Sequence, residues 1–266
     1  MSTTLEKEHV LSISRRDRIC LLTLDRPKRR NALSEQLQCE LREAILNADS
    51  DPEISLIAIT GAGDDAFCAG ADLKEMRERD TGAGGAYRGP LHRQERTIME
   101  VLLDCSKPTL AIVNGPAMAG GFELALACDL RIVSERAVFA VPEARRGMGA
   151  HFASVVLPQI IPSAIAMEWL FTGRNVLPTE AERWGLINRI SPQSLLMSEA
   201  MALAEDVVAS APLSLQKMKL TFRKTQGLPI PAGLRLDVGP NPYLSEDRKE
   251  GIRAFLERRL PIWKGR

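Results

Sequence analysis

Histidine is nearly absent from this 266-residue chain: there are three, at positions 9, 92 and 151, none at the spacing of a metal-ligating pair. Cysteine is little better represented. The five, at 20, 39, 68, 105 and 128, are odd in number, scattered and set mostly in apolar runs. No CxxC or Cys/His pair occurs, so no metal site is in view and the thiols read as reduced core residues of a cytoplasmic protein. Excess charge is missing too. Lys and Arg total 35 against 34 Asp and Glu, a formal charge of +1, and no global field draws the chain to nucleic acid or an anionic membrane. No apolar run approaches the ~20 residues that span a bilayer. The start, MSTTLEKEHV, carries charges of both signs and has no signal-peptide pattern. What remains is a soluble enzyme or binding protein without a metal.

What is present is punctuated apolar patterning, in a chain long enough for one large domain or one domain with a satellite. VLSIS (10–14) and ICLLTL (19–24) predict a hairpin, followed by a basic turn, DRPKRR. Ser34 is a candidate N-cap for a helix with apolar positions Leu37, Leu41, Ala44 and Ile45, ended by Asp51-Pro52. ISLIAIT (54–60) and TLAIVNG (109–115) are continuous apolar runs, the pattern of strands buried on both faces. A helix is predicted from Asp72, with capping-box spacing to Glu75, and another box runs from Thr179 to Glu182. TGAGGAYRGP (81–90) reads as a mobile loop, followed by a helix through Leu103. LRIVS and AVFAV read as short strands, the pattern is helical from about 163, and 212–226 and 245–257 are amphipathic. Strands alternating with helices predict an α/β fold with a largely parallel sheet. Residues 1–200 read as the core and 201–266 as a helical appendage. No internal repeat is visible.

Four stretches could carry chemistry. GAGDDA (61–66) after a strand fits the G-x-G-x-x-A of a dinucleotide-binding turn. Asp64 and Asp65 would lie where a pyrophosphate needs bare N–H groups, and a charged helix, LKEMRERD, follows where a second strand is required. A tight surface turn accounts for these glycines. CAGADLKEM offers a helix N-terminus behind small residues, whose N–H groups can donate to an oxyanion. NGPAMAGGFELALACDLRI repeats the device with Gly120-Gly121 and adds Glu123 in the first turn of the helix. Glu123 is either a partner of the helix dipole, worth ~0.3–1 kcal/mol, or a desolvated acid poised for proton transfer. VPEARRG offers Glu143, which could equally be a loop-end acid paired to Arg145 or Arg146.

Taken in order, DRPKRRNALS, AFCAGADLKEM, KPTLAIVNGPAMAGGFELALACDLRI and AVFAVPEARRGMG resemble the crotonase (enoyl-CoA hydratase/isomerase) superfamily. The resemblance continues through LFTGRNVLPTEAERWGLINRI to EGIRAFLERRLPIWKG and so covers nearly the whole chain. It implies the crotonase (ClpP-like) fold, repeated ββα units forming a spiral core with a C-terminal helical region used in oligomer contacts, as a trimer or a dimer of trimers. It further implies an acyl-CoA thioester as substrate, with coenzyme A as part of that substrate and neither metal nor redox cofactor. By the same resemblance the N–H groups of Ala71 and Gly120 form an oxyanion hole for the thioester carbonyl. Glu123 holds and deprotonates the water that attacks C3, and Glu143 delivers a proton to C2. The CoA moiety falls to Arg26, Lys28, Arg29 and Arg30 at the basic turn, to Ala69 and Asp72 beside the first helix start, and to Trp263 and Lys264 at the C-terminal end. Met76 falls in the substrate pocket.

The reaction so implied is syn hydration of a 2-trans-enoyl-CoA to the 3-hydroxyacyl-CoA. Isomerase, thioester hydrolase, decarboxylase and ring-opening chemistry stand as alternatives on the same fold, as does a non-catalytic acyl-CoA-binding role. Possession of both acids favours the hydratase. The chain departs from the superfamily pattern after Glu143, where a Pro-Gly-x-Gly-Gly run is replaced by Ala150-His151-Phe152-Ala153-Ser154. Either His151 caps or packs beside the following helix, or His151 and Phe152 shorten or polarise the acyl pocket. The loop at 81–90 is the second departure, in a region where the superfamily varies substrate choice.

Overall fold

The structure, a computed structural model, describes residues 9–81 and 95–266; the loop predicted at 81–90 lies, but for its first residue, outside them. Asp17, in the left-handed region at φ 51, turns the chain between β1 (Leu11–Arg16) and β2 (Ile19–Leu24), which pair antiparallel from Leu11 opposite Leu24 to Arg16 opposite Ile19. Beyond this hairpin every ladder of the sheet is parallel. β3 (Leu56–Gly61) and β4 (Thr109–Val113) follow; then, in chain order, come β5 (Ala117–Met118), β6 (Leu130–Ser134), β7 (Phe139–Ala140) and β8 (Arg189–Ser191). The main sheet runs β1-β2-β3-β4-β6-β8, and β5 pairs with β7 in a second, two-stranded sheet.

The helices between are α1 (Glu35–Ser50), α2 (Leu73–Thr81), α3 (Ile98–Asp104), α4 (Gly120–Ala127), α5 (His151–Ile160), α6 (Ser163–Thr172) and α7 (Pro178–Arg183). α8 (Leu196–Val208), α9 (Pro212–Thr225), α10 (Ile230–Gly233) and α11 (Glu246–Glu257) complete the chain. All six residues of β3 are buried, as its unbroken apolar run predicts. Alternate side chains enter two cores because successive strand residues point to opposite faces. Ile57, Ile59, Ala111, Val113 and Val133 pack with Leu37, Leu41 and Ile45 of α1 and with α4. Leu56, Ala58, Leu110, Ile112 and Ile132 pack with Leu196, Ala200, Met201 and Ala204 of α8. The boundary predicted at 200 thus falls inside α8, whose buried residues on both sides share one core.

The ββα unit is visible twice in full, as β4-β5-α4 and β6-β7-α5. Short rungs extend the second sheet: Leu33 bridges Ala71, Cys68 bridges Ala117 and Phe139 bridges Val176. These rungs bring the segments after β3, β4 and β6 side by side, and the candidate site is built on them.

Helix starts follow their caps with three differences from the sequence expectation. Ser34 caps α1 through the Leu37 N–H at 3.1 Å, as predicted. α2 begins one residue after Asp72, whose carboxylate accepts the Lys74 N–H, but Glu75 accepts from the Glu35 N–H at 3.0 Å and so caps the neighbouring helix. α7 opens on Pro178, a residue preset for the first helical position; Thr179 therefore lies within the turn, and the box predicted from it does not form. A capping box that was not predicted opens α3, between Thr97 and Glu100.

Candidate active site

The turn after β3 is held largely through its carbonyls. The Asn31 side-chain amide donates to the Ala62 and Ala66 carbonyls at 3.0 and 2.8 Å, and its oxygen accepts the Arg26 N–H. From the other side Asn114 donates to the Gly61 and Gly63 carbonyls at 3.0 and 2.7 Å and accepts the Gly61 N–H at 3.1 Å. Both amides are buried. This double clamp makes GAGDDA a fixed turn.

Just beyond it, two helix starts converge. Gly70, at φ +85, lies so close to the next segment that a Cβ there would be 2.8 Å from the Ala119 Cβ and 3.0 Å from the Gly120 nitrogen. A Cβ on Gly120 would lie 3.9 Å from the Ala71 nitrogen. On Gly121 it would collide with the Cys68 carbonyl at 2.1 Å, so the first turn of α4 rests directly on the backbone before Gly70. The Leu33 rung takes the Gly70 carbonyl and the Asp72 N–H but leaves the Ala71 N–H between them free. Gly120 opens α4, where an N–H has no partner within the helix. Among the described residues nothing accepts from either group.

Ala119 precedes α4 at φ 54, ψ −128. A side chain there is strained, by of order 1–3 kcal/mol. Its N–H donates to the Ala140 carbonyl at 2.9 Å, and its carbonyl accepts the Glu123 N–H at 3.0 Å.

Glu123 is half-buried in the first turn of α4, and its Oε1 accepts the Ala153 N–H of α5 at 2.9 Å. Burial pushes its carboxyl up to about 7; the N–H groups of Ala153 and Phe152 work against the rise, and the charge of Glu143 adds to it. The charge of Glu143 is thus felt at Glu123, which sequence spacing could not establish. Glu143 is 8% exposed, in the 3-10 turn Pro142–Arg146 that follows β7. Burial raises its carboxyl too, with Arg146 opposing. The ion pair expected as its bland alternative does not form. Arg145 donates instead to the Thr172 carbonyl at the end of α6, and the buried Glu143 Oε2 has no hydrogen-bond partner. Gly173, at φ +53, permits this, since a Cβ on it would meet the Pro142 Cα at 2.9 Å.

The other predicted residues divide. Arg26 is buried: its guanidinium donates to the Ala32 carbonyl at 2.7 Å and pairs with Asp72 at 3.1 Å. Burial raises the Asp72 carboxyl, but the bonds from Arg26 and the Lys74 N–H outweigh it and hold the group below the usual carboxylate range. Arg26 and Asp72 thus pair with each other, although the buried Arg26 Nε has no hydrogen-bond partner, whereas Lys28, Arg29 and Arg30 face solvent. Arg30 and Ala69 line an open cleft of about 470 Å³ with Asp65, Met118 and Asn175. Met76 is half-buried on α2. His151 is exposed at the first position of α5 and makes no cap, while Phe152 packs against the core. Lys264 pairs with Glu246 at 3.1 Å, and Trp263 donates to the Ala209 carbonyl at 2.7 Å. Both are thereby tied to their own helical region. The sequence reading missed Ala153 and Asn114, whose roles depend on contacts across 30 or more residues.

The sequence profile described as Enoyl-CoA hydratase/isomerase matches residues 14–266. The chain belongs to this family. A carnitinyl-CoA dehydratase from Salmonella typhi is 41% identical over 268 residues, covering 96% of this chain and 98% of the relative. An enoyl-CoA hydratase from Mycobacterium tuberculosis H37Rv superposes with a TM-score of 0.85 at 34% identity, covering 97% of this chain and all of that one. The Bacillus anthracis enoyl-CoA hydratase gives 0.87 at 29% identity over 97% of the chain. The fold is the crotonase fold, and family membership places the chain among proteins that process acyl-CoA thioesters. Its relatives are hydratases and dehydratases, that is, hydro-lyases.

Proposed function

We propose that the protein is a hydro-lyase that interconverts a 2-trans-enoyl-CoA and the 3-hydroxyacyl-CoA by syn addition or elimination of water. The observation that carries this reading is the meeting of the Ala71 and Gly120 helix starts, with their unpaired N–H groups, at the turn that holds Glu123, an acid raised by burial and by the charge of Glu143. Those N–H groups receive the thioester oxygen as negative charge builds on it in the enolate; one such donor is typically worth ~2.7–4 kcal/mol. In hydration Glu123 takes a proton from water as its oxygen bonds to C3, and Glu143 gives a proton to C2. Elimination reverses both transfers. Either direction requires one proton on the pair, which then titrates as a unit. In elimination Glu143 is the base at C2 and Glu123 the acid that releases the hydroxyl.

The CoA carrier lies along the cleft lined by Arg30 and Ala69, with Lys28 and Arg29 near its phosphates, and no metal or redox cofactor takes part. We also propose a homo-oligomer, a trimer or dimer of trimers, on the exposed apolar side chains of the C-terminal helical region, among them Phe222, Leu234, Phe255 and Leu260.

The test is purified protein against 2-trans-enoyl-CoA and 3-hydroxyacyl-CoA esters of increasing chain length, with carnitinyl-CoA among them, followed by the absorbance of the conjugated thioester. Turnover of at least one pair in both directions is the expected result. Tight binding of every ester with no turnover of any would overturn the reading in favour of a binding protein.

A further inference from the structure

One residue is joined to the backbone at or within three residues of all four groups of the proposed site, and it is not one of them. Ala119 stands immediately before Gly120, so its ψ sets where the Gly120 N–H points. Its N–H is fixed to the Ala140 carbonyl, three residues ahead of Glu143, at 2.9 Å. Its carbonyl takes the first helical bond of α4, from the Glu123 N–H, at 3.0 Å. Its methyl faces Gly70, where a Cβ would come within 2.8 Å, and Gly70 is the residue before Ala71. The backbone that makes these four connections sits at φ 54, ψ −128, a region open to glycine and strained for alanine.

A glycine would take this conformation without strain, but it would lack both the methyl and the backbone stiffness. An alanine held here is wedged: Gly70 is on one side, the β7 rung on another, and the start of α4 on the third. We infer that Ala119 is a positioning residue. It uses a strained backbone and its methyl to fix the separation of the two oxyanion donors and to hold both acids against them. The inference rests on the hydro-lyase reading, because the groups it positions have their roles only there. Donor placement matters steeply in such a site: preorganised dipoles stabilise the enolate only when aimed at the oxygen before charge develops, and a shift of about 1 Å can cost ~10²-fold in rate.

The test compares wild type, Ala119→Gly and Ala119→Ser on whichever acyl-CoA the wild type turns over, with kcat, KM, the pH profile and the melting temperature measured for each. For Ala119→Gly the expected result is a kcat lower by roughly 10- to 100-fold at a little-changed KM. Its melting temperature should be no lower than wild type, because the strain is gone. Its alkaline pKa should also shift, because the acids are no longer held at one spacing. Ala119→Ser, which keeps the Cβ, should stay near wild type in all four. A merely structural role predicts for glycine the same equal or better stability but an unchanged kcat, and that result overturns the inference while leaving the hydro-lyase reading intact. Loss of kcat in parallel with melting temperature in both variants overturns it as well. A wild type that turns over no acyl-CoA brings down the parent reading, and this inference with it.

Discussion

The Glu123 carboxylate accepts the Ala153 N–H at 2.9 Å, so an acid in the first turn of α4 is held by the first turn of α5. The bond joins two ββα units across their helix starts. It keeps the acid oriented while burial and Glu143 push its carboxyl up to about 7. The N–H groups of Ala153 and Phe152 are a weak counterweight to desolvation, and the resulting group exchanges a proton near neutrality.

Stability should carry the mark of that shift. The folded carboxyl titrates near 7 against an ordinary 4.5, so between those values the native state binds more protons than the unfolded chain. Stability from this group therefore falls as pH rises from about 4.5 to 7 and is flat above. Glu123→Gln should be more stable than wild type at pH 8, on the order of 1–3 kcal/mol, with the gain vanishing toward pH 4.5. Denaturant melts at pH 5 and pH 8 measure it; an equal difference at both pH values would contradict the assignment.

The pH dependence of turnover follows from the same pair. The active state carries one proton on the two acids, and loss of that proton from the pair should end activity. kcat/KM should therefore decline above about pH 7 in both the hydration and the dehydration direction. A profile flat from pH 6 to pH 9 would rule out a shared proton.

The amide clamp is a structural prediction. Asn114→Ala strips partners from the Gly61 and Gly63 carbonyls and the Gly61 N–H. Leaving such buried groups unmatched should cost roughly 2–4 kcal/mol, seen as a lower denaturation midpoint with an unchanged slope. No shift in midpoint would mean that water replaces the amide without loss.

Gly121→Ala tests the seating of α4. Its Cβ would need the space of the Cys68 carbonyl, 2.1 Å away, and backbone must move. Overpacking of this kind costs about 1–3 kcal/mol or more, and here it also separates Gly120 from Ala71. Activity should fall further than stability alone accounts for. A variant as active as wild type would mean that the close approach is incidental.

Much of this arrangement was legible in the chain itself. Unbroken apolar runs marked β3 and β4, Ser34 marked the start of α1, and small residues before Leu73 and Glu123 marked both helix starts. Each of those signals is local. What stayed hidden depends on partners far away in sequence. Arg26 belongs to a basic turn that reads as solvated, yet Asp72 and the Ala32 carbonyl draw it inside. Arg145 reads as a partner for Glu143 two residues before it, yet it turns to the end of α6. Nothing in an alanine announces φ 54; only the packing of Gly70 against Ala119 shows why the strain is kept.

The most direct measurement is the rate of thioester hydration by Glu123→Gln and Glu143→Gln beside wild type, with folding checked by circular dichroism. The account predicts that each loses roughly 10²- to 10⁴-fold in kcat. The double variant should be hardly worse than either single one, because the two act as a unit. Full activity in either single variant would contradict it.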